Sequence, residues 1–468
     1  MNPDLVPDLA PVDLAIIGAG PAGIAAAVEA AEHGLSVLLL DENAAPGGRI
    51  WQGLEARGAA DVDEAAALML MRRLRASPVD RRWNAAVWAM EPGAIEPDGQ
   101  VFWSEPGIGS RATRTATARK ILLATGTTER PLPIPGWTLP GVMTIGAAQI
   151  ALKTGGLRPS GRTWLAGQGP LLLLYAVQAL EAGGAIAGVI DLSDGLSPIR
   201  ALRHTSLAVL ADIRKGLAWR RRLSEVRWIA AAELRAEGET ALRAVSFRTV
   251  RGWQRQDADL LLLHDGVIPS VQMSRAVGCA HAWSEVQRSW RPVADAWGQT
   301  SVRHVLVAGD GAGIGGAAAA VLSGRIAALG AACALGRLDP MRRDAVAAPL
   351  RARHRRLLAG RPLLDRLFAP VPMRLDDTTL VCRCEEVSAG DVRQAARAGC
   401  GGMNQLKAYT RCGMGPCQGR MCGPVAIEVL AAAHGVPVAA IEPLRTRFPT
   451  KPVSLADLVS LRAEQDTG

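Results

Sequence analysis

Four scarcities close off functions before any motif is considered. No lysine or arginine precedes Arg49, so the N-terminus lacks the charged opening of a secretory signal, and the cytoplasm is the expected location. No long apolar run is free of charge. The most apolar stretch, Gly313 to Gly336, is rich in alanine and glycine and carries Arg325 in its middle, which predicts a buried helix rather than a membrane span. Aromatic residues are 4% of the chain, and the basic excess behind its net charge of +9 is arginine-rich and scattered. Without an aromatic-interleaved basic stripe, nucleic acid is not an expected partner. The densest basic segments, Arg220 to Arg222 and Arg351 to Arg356, read as solvated helix faces. Lastly, no pair of closely spaced cysteines stands before Cys382. That excludes dithiol exchange in the earlier domains and leaves Cys279 and Cys333 as isolated thiols of core type.

What remains is long and apolar. With 468 residues, 49% of them hydrophobic, the chain has material for about three domains of ordinary size. Its first segment reads as strand, glycine-rich turn, helix and strand: DLAIIGAG, PAGIAAAVEAAEHG, LSVLLLDE. Gly18, Gly20 and Gly23 follow the strand and open the helix, and Asp41 ends the next strand, which is the dinucleotide fingerprint in its required setting. Gly18 permits the tight turn, Gly20 lets a pyrophosphate approach the backbone at the helix N-terminus, and Gly23 lets helix and strand pack closely. Asp41 would accept from a ribose hydroxyl. The loop residues Ala19, Pro21 and Ala22 complete this part of the expected cofactor-binding set.

Further motifs choose the cofactor. Gly47, Gly48 and Arg49 follow Asp41 and Glu42 closely, ATG recurs at Ala124, Thr125 and Gly126, and AGD recurs at Ala308, Gly309 and Asp310. Together these resemble the flavoprotein disulfide-reductase-like superfamily. The resemblance implies FAD in preference to NAD, with Asp310 on the ribitol chain and Gly316 and Ala317 near the isoalloxazine.

A second strand, turn and helix opens at GRTWLAGQGPLLLLYAVQALEAGG, and the strand AIAGVIDL follows it. The first unit's architecture is thus repeated. The loop has Gly167 and Gly169, but Leu172 stands where a third small residue would let helix and strand pack closely. Asp191 follows the next strand and Arg200 is the nearest base, so a 2′-phosphate is poorly provided for. This half is expected to be a vestigial, structural one. The fold class is therefore α/β, with two Rossmann-like dinucleotide-binding domains and a small α-rich C-terminal iron–sulfur domain. The expected boundaries are 1–150 for the first part of the FAD-binding domain, 151–270 for the inserted Rossmann half, and 271–336 for the second part. A connector over 337–377, a cysteine-rich domain over 378–430 and a tail over 431–468 complete the chain.

The cysteines define the last domain. VCRCEEV carries Cys382 and Cys384, and TRCGMGPCQGRMCGP carries Cys412, Cys417 and Cys422. In a cytosolic chain, clustered cysteines point to metal before disulfides. Four thiolates suit a [2Fe-2S] cluster, and the many glycines offer bare N–H groups to its sulfurs. The expected ligands are Cys382, Cys384, Cys417 and Cys422. Cys412 could replace Cys417, a structural zinc site is the rival, and Cys400 reads as a helix-end filler. The histidines, His204 among them, fall in no acid–base or metal spacing, so no catalytic residue is assigned.

Several segments agree in a wider likeness: VDLAIIGAGPAGIAAAVEAAEHGLSVLLLDENAAPGGRI, ATGTTERPLPIPGWTLPGVMTIGAAQ, HDGVIPSVQMSRAVGC, TSVRHVLVAGDGAGIGGA and NQLKAYTRCGMGPCQGRMCGP. They resemble the FAD-binding alpha subunits of heteromeric amine-acid dehydrogenases. That group includes the A subunit of opine oxidase, D-hydroxyproline dehydrogenase alpha subunits and the B subunit of hydrogen cyanide synthase. The resemblance implies a bacterioferritin-associated-ferredoxin-like [2Fe-2S] domain. It also implies a partner, a D-amino-acid-oxidase-like flavoprotein beta subunit that oxidises the substrate C–N bond, together with a small ferredoxin-like subunit. Contact with a membrane would then come only through the complex. Arg49, Trp51 and Cys412 depart from the group's usual glutamine, tyrosine and non-cysteine. The alternative function is an NAD(P)H-dependent flavin reductase feeding its own cluster, and a redox sensor is a third.

Overall fold

The computed structural model describes residues 9–95, 98–106, 111–193, 210–370 and 375–463. The chain opens with β1 (Leu9–Ile17), helix α1 (Pro21–Glu32) and β2 (Val37–Leu40). Leu14 to Ile17 and all of β2 are buried, as the continuous apolar runs of a covered parallel sheet require. Gly20 caps α1 without any side-chain bond, and Pro21 opens it, a position where the missing N–H costs nothing. Strands β3 (Asp80–Arg82), β4 (Ala86–Ile95), β5 (Asp98–Pro106) and β6 (Arg111–Leu123) follow.

The chain then crosses through β7 (Thr127–Glu129) into the second domain. That domain holds β8 (Val142–Thr144), β9 (Thr163–Gln168), helix α2 (Pro170–Glu181), β10 (Gly188–Asp191) and β11 (Trp228–Ala230). An antiparallel meander, β12 (Glu233–Glu237), β13 (Ala244–Thr249) and β14 (Gly252–Asp257), precedes β15 (Leu260–Asp265). The return strand β16 (Val267–Pro269) pairs antiparallel with β7, so the two crossings between domains brace each other. The hairpin β17 (His281–Ser284) and β18 (Ser289–Pro292), then β19 (Val305–Val307) and helix α3 (Ala317–Ala334), complete the first domain.

One sheet runs β3-β2-β1-β6-β5-β4, with β19 also on β6. Its long strand β6 changes partner along its length: Arg111 to Ala118 pair antiparallel with β5, and Ile121 to Leu123 pair parallel with β19. The parallel strands end level, because Ile17 is in register with both Leu40 and Leu123, and Leu123 with Val307. The second sheet, β11-β10-β9-β15-β8, is parallel throughout.

Helix α3 is long and apolar enough to cross a membrane by length and composition, yet it packs against α1 inside the first domain. A Cβ added at Gly324 would lie 2.1 Å from the carbonyl oxygen of Ala22, so the two helices touch backbone to backbone. Arg325 Nε donates to Glu29 Oε2 at 2.6 Å, which accounts for the charge in the middle of the run. The segment expected to be a connector contains two helices, α4 (Pro340–Leu358) and α5 (Arg361–Leu367). Asp339 caps the first by accepting from Arg342 N–H at 3.0 Å, and Pro340 opens it; this cap-and-proline pattern was present in the sequence. Arg343 and Arg351 stack on the Trp297 ring at 4.0 and 3.7 Å, so Arg351 is a packed residue rather than a solvated one.

The last domain has β20 (Leu380–Cys382), β21 (Val387–Ser388), α6 (Ala389–Arg397), α7 (Met403–Thr410) and α8 (Cys422–His434). It has a core of its own, in which Cys382, Cys400, Cys412 and Cys422 are buried among Val381, Val392 and Leu430. Trp137 Nε1 donates to the carbonyl of Leu380 at 2.8 Å, and Met421 packs on the core of the second domain. The chain beyond α8 is no loose tail: Phe448 and Val453 pack on Trp88 and Phe102 of β4 and β5.

Candidate functional site

Because β1, β2, β6 and β19 end level, the residues that follow them meet at one edge of the sheet, where open α/β sheets bind ligands. Gly18, Asp41, Ala124 and Gly309 each come directly after such an end or within two residues of it. All line a single cavity of about 360 Å³. Gly20, Pro21, Ala22, Glu42, Gly48 and Arg49 line it from the first unit, Thr125 and Gly126 from the second motif, and Asp310 and Ala317 from the third. Three of the expected residues stand one layer behind. Ala19 donates its N–H to Asp41 Oδ2 at 2.5 Å, and Gly316 donates its own to Asp310 Oδ1 at 2.9 Å, as Gly315 does. Gly23 carries the close packing: a Cβ there would lie 1.8 Å from the carbonyl oxygen of Gly18.

The cavity fits FAD on this chain's own features. Gly18, at φ +104°, leaves no room for a side chain, since a Cβ would sit 2.5 Å from the carbonyl oxygen of Ala124. Gly20 is open by contrast, its nearest neighbour being Gly48 Cα at 3.9 Å from the built Cβ. The uncapped N-terminus of α1 beside it supplies N–H groups and a positive dipole end for a pyrophosphate. Asp41, 6% exposed, accepts from Asn43 N and Nδ2 through its other oxygen, so it fixes the glycine loop as well as facing the cavity. Thr125 Oγ1 donates to the carbonyl of Ser270 at 3.0 Å.

Sequence reasoning missed the contribution of the C-terminal segment. Arg420, Thr450 and Lys451 line the same cavity. Burial works against the charge on Glu42, but Lys451, with which it forms a salt bridge, outweighs it, assisted by Arg49 and Arg420; the carboxyl is held below its ordinary value. No local spacing signals this, because these cations arrive through tertiary packing of a domain hundreds of residues away.

At the second glycine loop, a Cβ on Gly167 would lie 1.7 Å from the carbonyl oxygen of His264, so the glycine serves strand packing. Leu172 is 2% exposed and fills the space between α2 and its sheet. The Gln168 amide donates to Asp265 Oδ1 at 3.1 Å and to the carbonyl of Ala369, so the segment after α5 lies against the loop. Asp191 accepts from Ser193 N–H at 2.9 Å. Arg200 and His204 lie outside the described residues.

Five thiols converge in the last domain. The sulfurs of Cys382, Cys412 and Cys422 lie within 4.8 Å of one another. Cys417 interacts with both Cys422 and Cys384, which links the remaining two to that triad. Cys412, and not Cys417, is thus the thiol grouped with Cys382 and Cys422, as the alternative ligand set has it, while Cys400 bonds the carbonyl of Gly402 instead. Backbone N–H groups point at these sulfurs, from Gly413 and Glu385 to Cys382, from Met421 and Gly419 to Cys417, and from Cys417 to Cys384. Hydrogen bonds from Cys412 and Cys422 push the Cys382 thiol down, and that from Cys422, first among several, pushes Cys417 down to about 5. The same thiol–thiol hydrogen bonds push Cys412 and Cys422 up, and converging cysteines with N–H donors around them are the donor set of an iron–sulfur or zinc site. The cluster adjoins the cavity: Arg420 Nη1 donates to the carbonyl of Cys417 at 3.3 Å.

With this geometry in hand, comparison with known proteins assigns the family. Residues 12–324 match the family described as pyridine nucleotide-disulphide oxidoreductase. The chain belongs to that family. Residues 377–461 match the sarcosine oxidase A3 domain, where a bacterioferritin-associated-ferredoxin-like domain was expected. The A subunit of opine oxidase from Rhizobium meliloti (strain 1021) is 42% identical over 96% of this chain and 98% of its own length. The HcnB subunit of hydrogen cyanide synthase from Pseudomonas aeruginosa is 33% identical over 96% of this chain and 98% of its own. The L-proline dehydrogenase structure from P. horikoshii superposes with a TM-score of 0.71 at 19% identity, over 96% of this chain and 79% of that one. This member of the pyridine nucleotide-disulphide oxidoreductase family is thus a flavoprotein oxidoreductase in fold and class.

Proposed function

We propose that this chain is the FAD- and [2Fe-2S]-bearing electron-transfer subunit of a heteromeric cytoplasmic dehydrogenase. The complex would oxidise the C–N bond of an opine, D-hydroxyproline, glycine or a similar amine acid and pass electrons to a non-pyridine acceptor. The observation that carries this reading is the contact between the two candidate cofactor sites, since Arg420 lines the dinucleotide cavity and bonds the Cys417 carbonyl. The names of the relatives, opine oxidase and hydrogen cyanide synthase among them, support the amine-acid substrate and the existence of partner subunits. Bound FAD supplies two-electron acceptance and a [2Fe-2S] cluster supplies one-electron transfer.

The residues of this chain hold and shield. Gly18, Gly20 and the start of α1 receive the pyrophosphate, Asp41 a ribose hydroxyl, and Asp310 the ribitol side. Cys382, Cys384, Cys417 and Cys422 ligate the cluster, with Cys412 as a fifth thiol within reach. The partner, a D-amino-acid-oxidase-like flavoprotein of beta type, would carry substrate oxidation. The second Rossmann half would hold no nucleotide, a reading supported by buried Leu172 and by Ala369 at its loop.

The test is purification with the subunits that co-express with this chain. The complex should contain iron and acid-labile sulfide in equal amounts, and an opine should reduce an artificial acceptor through it while NAD+ does not serve. Zinc without iron in anaerobically purified protein would overturn the relay role.

A further inference from the structure

Between the hairpin β17–β18 and helix α8 lies another cavity, of about 90 Å³, whose lining shares only Gln272 and Arg420 with the dinucleotide cavity. On a scale of roughly 10 to 15 Å³ per water position, it has room for about six to nine such positions. That suits a small organic molecule. Part of the lining is apolar, from Ile268, Pro269, Ile427 and Leu444.

Its polar lining includes four groups without partners. Arg275 Nε, Trp283 Nε1, Trp290 Nε1 and Ser289 Oγ are buried and make no hydrogen bond, and all four residues line this cavity. Ser289 is 5% exposed. Guanidinium and indole nitrogens can only donate, so only an acceptor satisfies them. Buried polar groups are nearly always paired, and a cluster of exceptions calls for a missing partner.

Charge narrows the ligand further. Among the described residues no carboxylate pairs with Arg275. Its guanidinium lies 5.2 Å from the Trp290 ring centroid, and burial alone pushes its pKa down to about 10. The other arginines of the seam are engaged: Arg288 Nη2 donates to Glu428 at 2.6 Å, and Arg420 donates to the carbonyls of Cys417 and Thr450. Arg275 is half-buried, with its Nε sealed from solvent, and a desolvated cation without a counter-charge is costly and persists where something outside the chain neutralises it.

We propose that this seam binds a small organic carboxylate with an apolar body. Arg275, Ser289 and the two indoles take the carboxylate, and Ile268, Ile427 and Leu444 take the body. The inference rests on neither the iron–sulfur assignment nor the identity of the complex's substrate.

Isothermal titration of the full chain with benzoate, and with benzamide as its neutral isostere, tests it. Benzoate should bind about tenfold or more tighter than benzamide, Arg275→Met should lose at least about that factor for benzoate, and Arg275→Lys should retain part of it. Since Arg275→Met removes an unpaired charge, its ligand-free Tm should hold or rise, with circular dichroism and flavin content reporting a native fold. Equal binding of the two probes, or unchanged benzoate affinity in Arg275→Met, overturns the proposal. So does a ligand-free Tm that falls in both variants, the mark of a purely structural cation. Failure of benzoate to bind the wild-type chain overturns it in favour of a carboxylate side chain from a partner protein.

Discussion

Arg420 joins two sites that are remote in sequence: its Nη1 donates to the carbonyl of Cys417 at 3.3 Å and its Nη2 to that of Thr450 at 2.6 Å, while the side chain lines the dinucleotide cavity. Hydrogen bonds from a charged donor are worth about 1.5 to 3 kcal/mol each at best, so about 2 kcal/mol of local docking is at stake. In iron-free protein, Arg420→Met should speed labelling of Cys417 by a thiol reagent roughly thirtyfold, since about 1.4 kcal/mol is tenfold in an opening equilibrium. Cys279, buried in another core cluster, should label at an unchanged rate. Equal acceleration at both thiols would mean global destabilisation and no specific clasp.

The glycine loop offers a contrast between two substitutions. At Gly20 a Cβ meets nothing nearer than Gly48 Cα at 3.9 Å, whereas at Gly23 it would lie 1.8 Å from the Gly18 carbonyl oxygen. Gly20→Val should therefore fold with near-native Tm but purify colourless, its side chain entering the space the pyrophosphate needs. Gly23→Ala should lower Tm, because backbone must move to admit it. Stoichiometric flavin in folded Gly20→Val would show that the fingerprint is misassigned.

How much of this was legible in the sequence depended on how local the signal was. The βαβ units were readable because each strand, turn and helix is contiguous, and β1, α1 and β2 fall where the apolar runs and Gly18 to Gly23 put them. The convergence of Asp41, Ala124 and Asp310 on one cavity was readable through motif likeness. Its cause, the level strand ends, is a matter of register. The antiparallel parts of β4 to β6 and the meander β12 to β14 were missed because their strands bury polar residues, Gln100, Thr115, Thr117 and Ser246 among them, between the apolar ones. Helix α4 was missed because its arginines and Pro349 hid the Asp339 cap. Lys451 and Arg420 at the cavity, like the grouping of Cys412 with Cys382 and Cys422, come from the docking and folding of the last domain, and no spacing rule carries that information.

The second domain yields a kinetic expectation. Leu172 is buried where a nucleotide fingerprint needs a small residue, and Gln168 is tied to Asp265 and Ala369. NADH or NADPH should therefore bleach the visible flavin band of the isolated chain more slowly than about 1 per second, the low end of ordinary turnover. Leu172→Gly alone should not restore it, because the Ala369 carbonyl still meets the loop. Rapid, complete bleaching of wild type in a stopped-flow trace would defeat this view and favour the flavin-reductase reading.

The cysteine series separates ligands from neighbours. Iron needs a deprotonated sulfur at fixed reach, and serine is a harder, poorer donor. Cys417 receives N–H bonds from Met421 and Gly419, and it links Cys384 to the triad of Cys382, Cys412 and Cys422. Cys417→Ser should thus lose most iron, acid-labile sulfide and the EPR signal seen on reduction, and it should keep its flavin, whose motifs lie in the first domain. Cys412→Ser should retain iron if the ligands are Cys382, Cys384, Cys417 and Cys422. Loss of iron in Cys412→Ser with retention in Cys417→Ser would move the site onto the triad and a different fourth ligand. Cys400, fully buried in the domain core with its thiol on the Gly402 carbonyl, should give a serine variant with full iron content and a Tm lowered by the cost of burying a hydroxyl, about 1 to 3 kcal/mol of stability. Iron loss in Cys400→Ser at a temperature where the domain remains folded would overturn the ligand assignment.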